Sequence, residues 1–115
     1  MLLGAIAAFL AVALGAFGAH GLRGRLSPDM LAVFETGVRY HMYHALALIL
    51  VGLMMSRWND WLIHTAGWCF VAGILLFSGS LYALALSGVT ILGAVTPIGG
   101  LAFLAGWACL AFAAV

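Results

Sequence analysis

The stretch LLGAIAAFLAVALGAFGA, residues 2–19, decides the fold, because none of its residues carries a formal charge. A helix needs about 20 mainly apolar residues to cross roughly 30 Å of hydrocarbon. A lipid-exposed backbone must also satisfy its own hydrogen bonds, which a helix does internally. The stretch therefore predicts a membrane-spanning helix. It lacks the basic flank of a signal peptide, so we expect it to be retained.

The rest of the chain has the same apolar character. Of its 115 residues, 67% are hydrophobic and 6% are charged, whereas a soluble domain has about 45–50% and 25%. A formal charge of +1 is too small to indicate a nucleic-acid partner. Composition thus excludes a soluble enzyme, a disulfide scaffold and an intrinsically disordered chain.

Three further segments are long and apolar enough to cross a membrane. We place the four spans at about residues 2–19, 37–55, 62–86 and 91–114. The connections are short, and short connections make consecutive helices antiparallel neighbours. The predicted fold class is all-α: an integral membrane up-down four-helix bundle, with residues 1–115 forming a single domain.

The segment before the second span predicts an additional short amphipathic helix. Ser27 is a good N-cap and Pro28 suits the first helical position. Apolar residues then recur at helical spacing. Thirty helical residues would extend about 45 Å, which exceeds the bilayer thickness. We therefore expect a bend or break between Asp29 and His41.

Polar side chains from all four spans are predicted to lie in one half of the bilayer. We name the membrane face at the end of the first span face A, and the opposite one face B. Depth counted at about 1.5 Å per residue places these side chains nearer face A. The candidate ligand-binding or structural network comprises His20, Arg39, Tyr40, His44, Ser78, Ser80, Tyr82 and Thr96. Unpaired polar groups cost several kcal/mol in hydrocarbon, so we expect contacts among them and a hydrogen bond from His44 to another span.

Two further patterns concern helix packing. Small residues spaced four apart on the first span predict a helix–helix seam, within a subunit or between subunits. Its members are Ala7, Ala11, Gly15 and Ala19. Pro97 removes a backbone donor and predicts a kink in the fourth span within one turn of it. Cys69 and Cys109 fall at similar depth on adjacent spans, where apolar gap-filling is favoured over a disulfide.

Several strings along the chain resemble a known family. They are GAFGAHG at residues 15–21, TGVRY at 36–40, HAL at 44–46, LFSGSLY at 76–82, TPIGG at 96–100 and AGW at 105–107. Together they resemble the YgdD/YwdK-like family of small bacterial membrane proteins of unknown function, which has vertebrate relatives. The resemblance implies a four-span inner-membrane protein and supplies no activity. His41 stands where the family pattern has Gln, so the resemblance gives His41 no chemistry.

The residues favour a non-enzymatic multi-pass protein whose polar pocket or network binds a small ligand or lipid. No Ser or Cys is placed with a His and an acid as nucleophilic catalysis requires. A small transporter or proton-coupled exchanger is an alternative, although the first span lacks the acidic residue of four-span multidrug carriers. A haem or metal site at His20, His41 and His44 is a further alternative, although we expect no cofactor.

The expected partners are membrane lipids, a second copy of the chain or another membrane protein that it helps to assemble. The expected location is the bacterial inner (plasma) membrane. Arginines at positions 23, 25 and 39 lie towards face A, against Arg57 towards face B. This difference leaves the orientation open.

Overall fold

A computed structural model describes residues 1–115 as helices joined by short connections. The α-helices are α1 (Leu2–His20), α2 (Pro28–Met55), α3 (Trp61–Gly73), α4 (Gly79–Ser87) and α5 (Thr96–Ala113). A π-helical turn, Ile74–Ser78, joins α3 to α4, and a 3₁₀ helix, Thr90–Ala94, precedes α5. Four helical segments are long and apolar enough to cross a membrane: Leu2–His20, Pro28–Met55, Trp61–Ser87 and Thr90–Ala113. The predicted all-α four-span fold is confirmed.

The helix predicted before the second span forms, but it continues into the span without the expected break. The Ser27 side chain accepts a hydrogen bond from the Met30 amide, with Pro28 in the first turn, as the sequence predicts. Because α2 is continuous from Pro28 to Met55, the chain does not break between Asp29 and His41, and Gly37 is used for tertiary packing; a bend in this region stays a prediction. Its backbone lies against the Tyr82 ring, so the third span occupies the space that a side chain would fill. The helix has 28 residues and is about 42 Å long.

The helices form a flattened bundle with Cα extents of 47 × 26 × 16 Å. Helix α1 packs along α2, α5 packs along α3, and α2 lies beside the third span. Between α2 and α5 the contact is made by large aromatic side chains, among them Phe103 stacked on His44. The central core lies between α2, α3 and α5. It comprises Ala47, Leu48, Val51, Ile63, Ala66, Phe70, Phe103 and Leu110.

The seam between α1 and α2 forms within the chain and includes Ala11 and Gly15 of the predicted stripe, but the stripe's last residue, Ala19, lies outside it. The buried residues of α1 are Gly4, Ala11 and Gly18, spaced seven apart. A four-residue step rotates by about 40° beyond a full turn, so three steps carry Ala19 about 120° away from Ala7. Ala19 is accordingly exposed. A seven-residue step drifts by only about 20°, which keeps one face towards α2.

Pro97, where we predicted a kink, lies at the start of α5. The 3₁₀ helix ends at Ala94, and α5 begins at Thr96 with Pro97 in its first turn. At that position the missing amide hydrogen would have no intrahelical acceptor, so proline is tolerated without distorting a continuous helix.

A smaller apolar cluster holds the first connection against the bundle. Leu22 is buried with Phe34 of α2 and Ala85 of α4.

At the opposite end of the bundle, both cysteines are free thiols, and Cys109 packs against the central core.

Candidate functional site

His44 lies at the centre of the molecule and connects the second span to the fourth. Its Nδ1 lies 2.7 Å from the Tyr40 carbonyl oxygen, one turn earlier on α2. The indole Nε1 of Trp107 donates to His44 Nε2 across 3.1 Å. The imidazole also stacks on the Phe103 ring, with centroids 3.5 Å apart and planes 8° apart. His44 thus makes the hydrogen bond to another span that was expected from its polarity.

The two partners of His44 define its protonation state. A carbonyl oxygen only accepts, so Nδ1 carries the proton and donates to it. An indole N–H only donates, so Nε2 is the unprotonated acceptor. The assignment follows from the partner groups. His44 is therefore a neutral imidazole with both ring nitrogens engaged.

Two further polar pairs join the second span to the third. The His41 Nδ1 and the Tyr82 hydroxyl lie 2.8 Å apart. The buried Ser78 hydroxyl donates to the Gly37 carbonyl oxygen across 2.7 Å. Ser78 ends the π-helical turn, and π-turns frequently mark functional sites. Here the turn delivers a hydroxyl to the backbone of α2.

One polar pair joins the third span to the fourth. The hydroxyls of Ser80 and Thr96 lie 2.6 Å apart, and Ser80 also donates to the Phe77 carbonyl oxygen at 2.9 Å. Helix α5 begins at Thr96, so the Ser80 hydroxyl contacts the first residue of that helix. Every buried side-chain nitrogen and oxygen atom has a hydrogen-bond partner.

The structure leaves two of the predicted residues out of this network. His20 and Arg39 are both exposed. Tyr40 contributes its carbonyl to His44 and its ring to Phe77, with ring centroids 4.7 Å apart. The other predicted residues form the pairs described above.

The depths expected for the second span are also corrected. A second span at residues 37–55 would place residues 39–44 in its opening turns, whereas they lie near the middle of α2 because that helix begins at Pro28. The contacts between α1 and α2 also place these residues near the middle of the spans. Gly4 lies beside Ile49 and Gly18 beside Phe34, so His41 is level with the middle of α1.

A groove adjoins His44 on the outer surface between the second, third and fourth spans. It has a volume of about 780 Å³. Its lining residues are Tyr40, Tyr43, His44, Phe77, Pro97, Gly100, Leu101, Phe103, Leu104 and Trp107. We name this feature the aromatic groove. Its walls are mainly aromatic rings and aliphatic side chains, which differs from the polar pocket expected from the sequence.

Sequence reasoning missed four residues that surround or extend the polar centre: His41, Phe77, Phe103 and Trp107. Phe77 and Phe103 are ordinary core residues by type, although Phe103 and Trp107 are four apart and therefore share one face of α5. His41 was considered only as a ligand of the alternative haem or metal site and not as part of the polar network, yet it is buried and paired with Tyr82. The available signal was its position in a span, where an imidazole needs a partner.

Comparisons with known proteins match the whole chain to uncharacterised membrane proteins. A family model described as "Protein of unknown function (DUF423)" matches residues 14–100. The UPF0382 membrane protein YwdK of Bacillus subtilis is 53% identical over 116 residues, covering 100% of this chain and 94% of the relative.

Two staphylococcal relatives are similar over nearly the same length. The UPF0382 membrane protein SH2409 of Staphylococcus haemolyticus is 50% identical, covering 96% of this chain and 89% of the relative. SERP0230 of Staphylococcus epidermidis is also 50% identical, with coverages of 98% and 92%. No solved structure matches the chain significantly.

Proposed function

The chain belongs to the DUF423 family of membrane proteins of unknown function, and we propose that it is a non-enzymatic protein that binds an acyl chain of a membrane lipid in the aromatic groove. We place it in the bacterial inner (plasma) membrane, because its relatives are bacterial membrane proteins and its spans are helical. The observation that carries the proposal is the aromatic groove, an open apolar groove. Beside it, every buried side-chain nitrogen and oxygen atom has a hydrogen-bond partner.

The dimensions of the groove favour an elongated apolar occupant. Its α5 wall runs from Pro97 to Trp107, which is about 15 Å along the helix axis. That length is about half of the hydrocarbon thickness and thus close to the depth of one leaflet. The volume of about 780 Å³ lies within the range of ligand sites in proteins, about 300–1,000 Å³.

Lipid can reach the groove from the side. Tyr43, Leu101 and Leu104 line it and are 53%, 66% and 67% exposed, so its outer edge faces the bilayer. An acyl chain of any surrounding lipid would contact exposed apolar side chains elsewhere on the surface. The groove differs because its concave wall surrounds one acyl chain with additional contacts.

Stacking and hydrogen bonds hold the inner wall of the groove, and a wall that is already ordered lowers the entropic cost of binding. The Phe103 ring is stacked on His44, and the centroids of the Phe77 and Phe103 rings lie 5.4 Å apart. Hydrogen bonds fix both nitrogens of the imidazole. The wall therefore needs no rearrangement before a chain enters.

The alternative functions fit this geometry less well. A proton-coupled exchanger needs an ionisable group that changes charge at its substrate site. No acidic side chain lines the groove, and the imidazole that does, His44, has both ring nitrogens engaged in hydrogen bonds. Haem or a metal would need a free imidazole nitrogen, and coordination by His44 would break one of its two hydrogen bonds.

Native mass spectrometry of the detergent-purified protein tests the proposal, with phosphatidylglycerol added as the probe. Gly100→Leu places a side chain in the groove. A Cβ at this position would lie 3.8 Å from Phe77, which is ordinary contact, so folding is retained. Gly93→Leu is the matched control. Its Cβ would lie 3.8 Å from Leu84, and it is outside the groove.

We expect wild type and Gly93→Leu to retain one lipid at collision energies that strip the surrounding detergent. Gly100→Leu should retain it at least tenfold less often. Equal retention by all three proteins would contradict a groove site and indicate annular lipid. Retention by none would exclude the proposed function.

A further inference from the structure

Arg39 adjoins the aromatic groove on α2, directly before the lining residue Tyr40, although it is not itself a lining residue. It precedes the groove residue Tyr43 by four positions, so the two share one face of α2. Helical side chains tilt towards the N-terminus of their helix. Because α2 begins at face A, this rule tilts the side chain at position 39 towards that face, and Arg39 is exposed.

The depth of Arg39 makes an isolated positive charge there unfavourable. Its neighbour Val38 packs beside Gly15, five residues before α1 ends at His20. The backbone of Arg39 is therefore about 8 Å inside the end of the first span. A guanidinium at such a position extends towards the interface or pairs with an anion.

The charged groups around Arg39 are few. Glu35 lies one turn closer to face A on the same helix and is the carboxylate that can compete for the guanidinium. Asp29 is in the first turn of α2, farther out. Arg23 and Arg25 lie in the connection before α2, and both are exposed. This end of the molecule thus carries a surplus of positive charge.

We infer that the aromatic groove selects an anionic phospholipid, whose headgroup phosphate binds the Arg39 guanidinium while one acyl chain passes Tyr43 into the groove. This inference rests on the proposed function. A guanidinium presents paired donors that match two phosphate oxygens, which makes arginine suited to this contact. The long arginine side chain can place its charge at the level of the lipid headgroups although the Arg39 backbone lies deeper in the membrane.

Competition between two lipids tests the inference. The protein is equilibrated with equal amounts of phosphatidylglycerol and phosphatidylcholine that carry identical chains, and the retained lipid is identified by native mass spectrometry. One arginine near a membrane surface contributes about 1 kcal/mol to binding an anionic lipid, or about a fivefold preference. We expect wild type to prefer phosphatidylglycerol by about that factor.

Three variants locate the preference. Arg39→Gln should retain as much lipid in total but select the two lipids equally. Arg23→Gln removes an exposed arginine outside the groove and should keep the preference. Glu35→Gln removes the competing carboxylate and should raise the preference. Millimolar inorganic phosphate should not displace the lipid, because a free anion lacks the chain.

The outcomes separate this inference from the proposed function. Lipid retained by wild type without headgroup preference, or a preference that survives in Arg39→Gln, would overturn the inference alone. Displacement by inorganic phosphate would show an anion site independent of the groove and overturn it as well. If no protein retains lipid, the proposed function and the inference fall together.

Discussion

The α1–α2 seam and the centre of the bundle hold the molecule together in different ways. In the seam, Gly4 and Gly18 let the helices approach until Ile49 and Phe34 fill the space of the absent side chains. In the centre, hydrogen bonds join the second, third and fourth spans, as in the pairs His41–Tyr82 and Trp107–His44.

The difference indicates where each region is vulnerable. Membrane helices associate by close packing and by interhelical hydrogen bonds, because lipid supplies no hydrophobic driving force between them. The seam depends on the first mechanism, so added volume should damage it. The centre depends on both, so loss of a ring or of a hydrogen-bonding group should damage it.

The largest effect is expected from added volume in the seam. Gly4→Val would place a Cβ within 2.7 Å of the Ile49 backbone nitrogen, which cannot move without separating the helices. We expect a loss of about 3 kcal/mol in the free energy of unfolding, measured by steric trapping in bicelles. The control Ala5→Val adds volume at an exposed neighbour and should change stability by less than about 0.5 kcal/mol. Equal losses would show that the seam is not packed as described.

The next largest effect concerns His44. His44→Ala removes the stack on Phe103 and leaves the Trp107 indole without its acceptor. We expect a loss of about 2 kcal/mol in the same unfolding measurement. His64→Ala, at an exposed position on α3, should be nearly neutral. A His44→Ala protein as stable as wild type would mean that the hydrogen bond and stack contribute little.

The location of the helices could be predicted from the sequence, because hydropathy is a property of each segment by itself. Whether α2 is continuous could not be predicted, because Gly37 could serve either as a hinge or as a packing surface. The Tyr82 ring, which comes from another span, packs against Gly37 and makes it a packing surface.

The site was predicted in part for the same reason. A polar group in hydrocarbon requires a partner, so the position of His44 predicted a bond to another span. Its partner, Trp107, depended on where α5 starts and how it is rotated, which Pro97 and the 3₁₀ helix determine. The aromatic groove depends on side chains from three spans and has no local signature.

A smaller effect is expected at the pair between the third and fourth spans. The hydroxyls of Ser80 and Thr96 lie 2.6 Å apart, but Ser80 also has the Phe77 carbonyl as a partner. A double-mutant cycle of Ser80→Ala and Thr96→Val should therefore give a coupling free energy of about 0.6 kcal/mol, the average for interhelical hydrogen bonds in membranes. Additive single effects would show that the contact contributes no stability.

The smallest effect is expected at Ala19, and it separates the two descriptions of the first span. The stripe with a spacing of four included Ala19 in a seam, whereas the structure leaves it exposed beyond the face that meets α2. Ala19→Leu should change the free energy of unfolding by less than about 0.5 kcal/mol. Gly15→Leu, whose Cβ would lie 3.1 Å from Val38, should cost more. Light scattering of the purified protein tests whether the exposed end of the stripe packs against another copy of the chain. We expect the Ala19→Leu complex to have the same size as wild type, and a smaller complex would contradict this prediction.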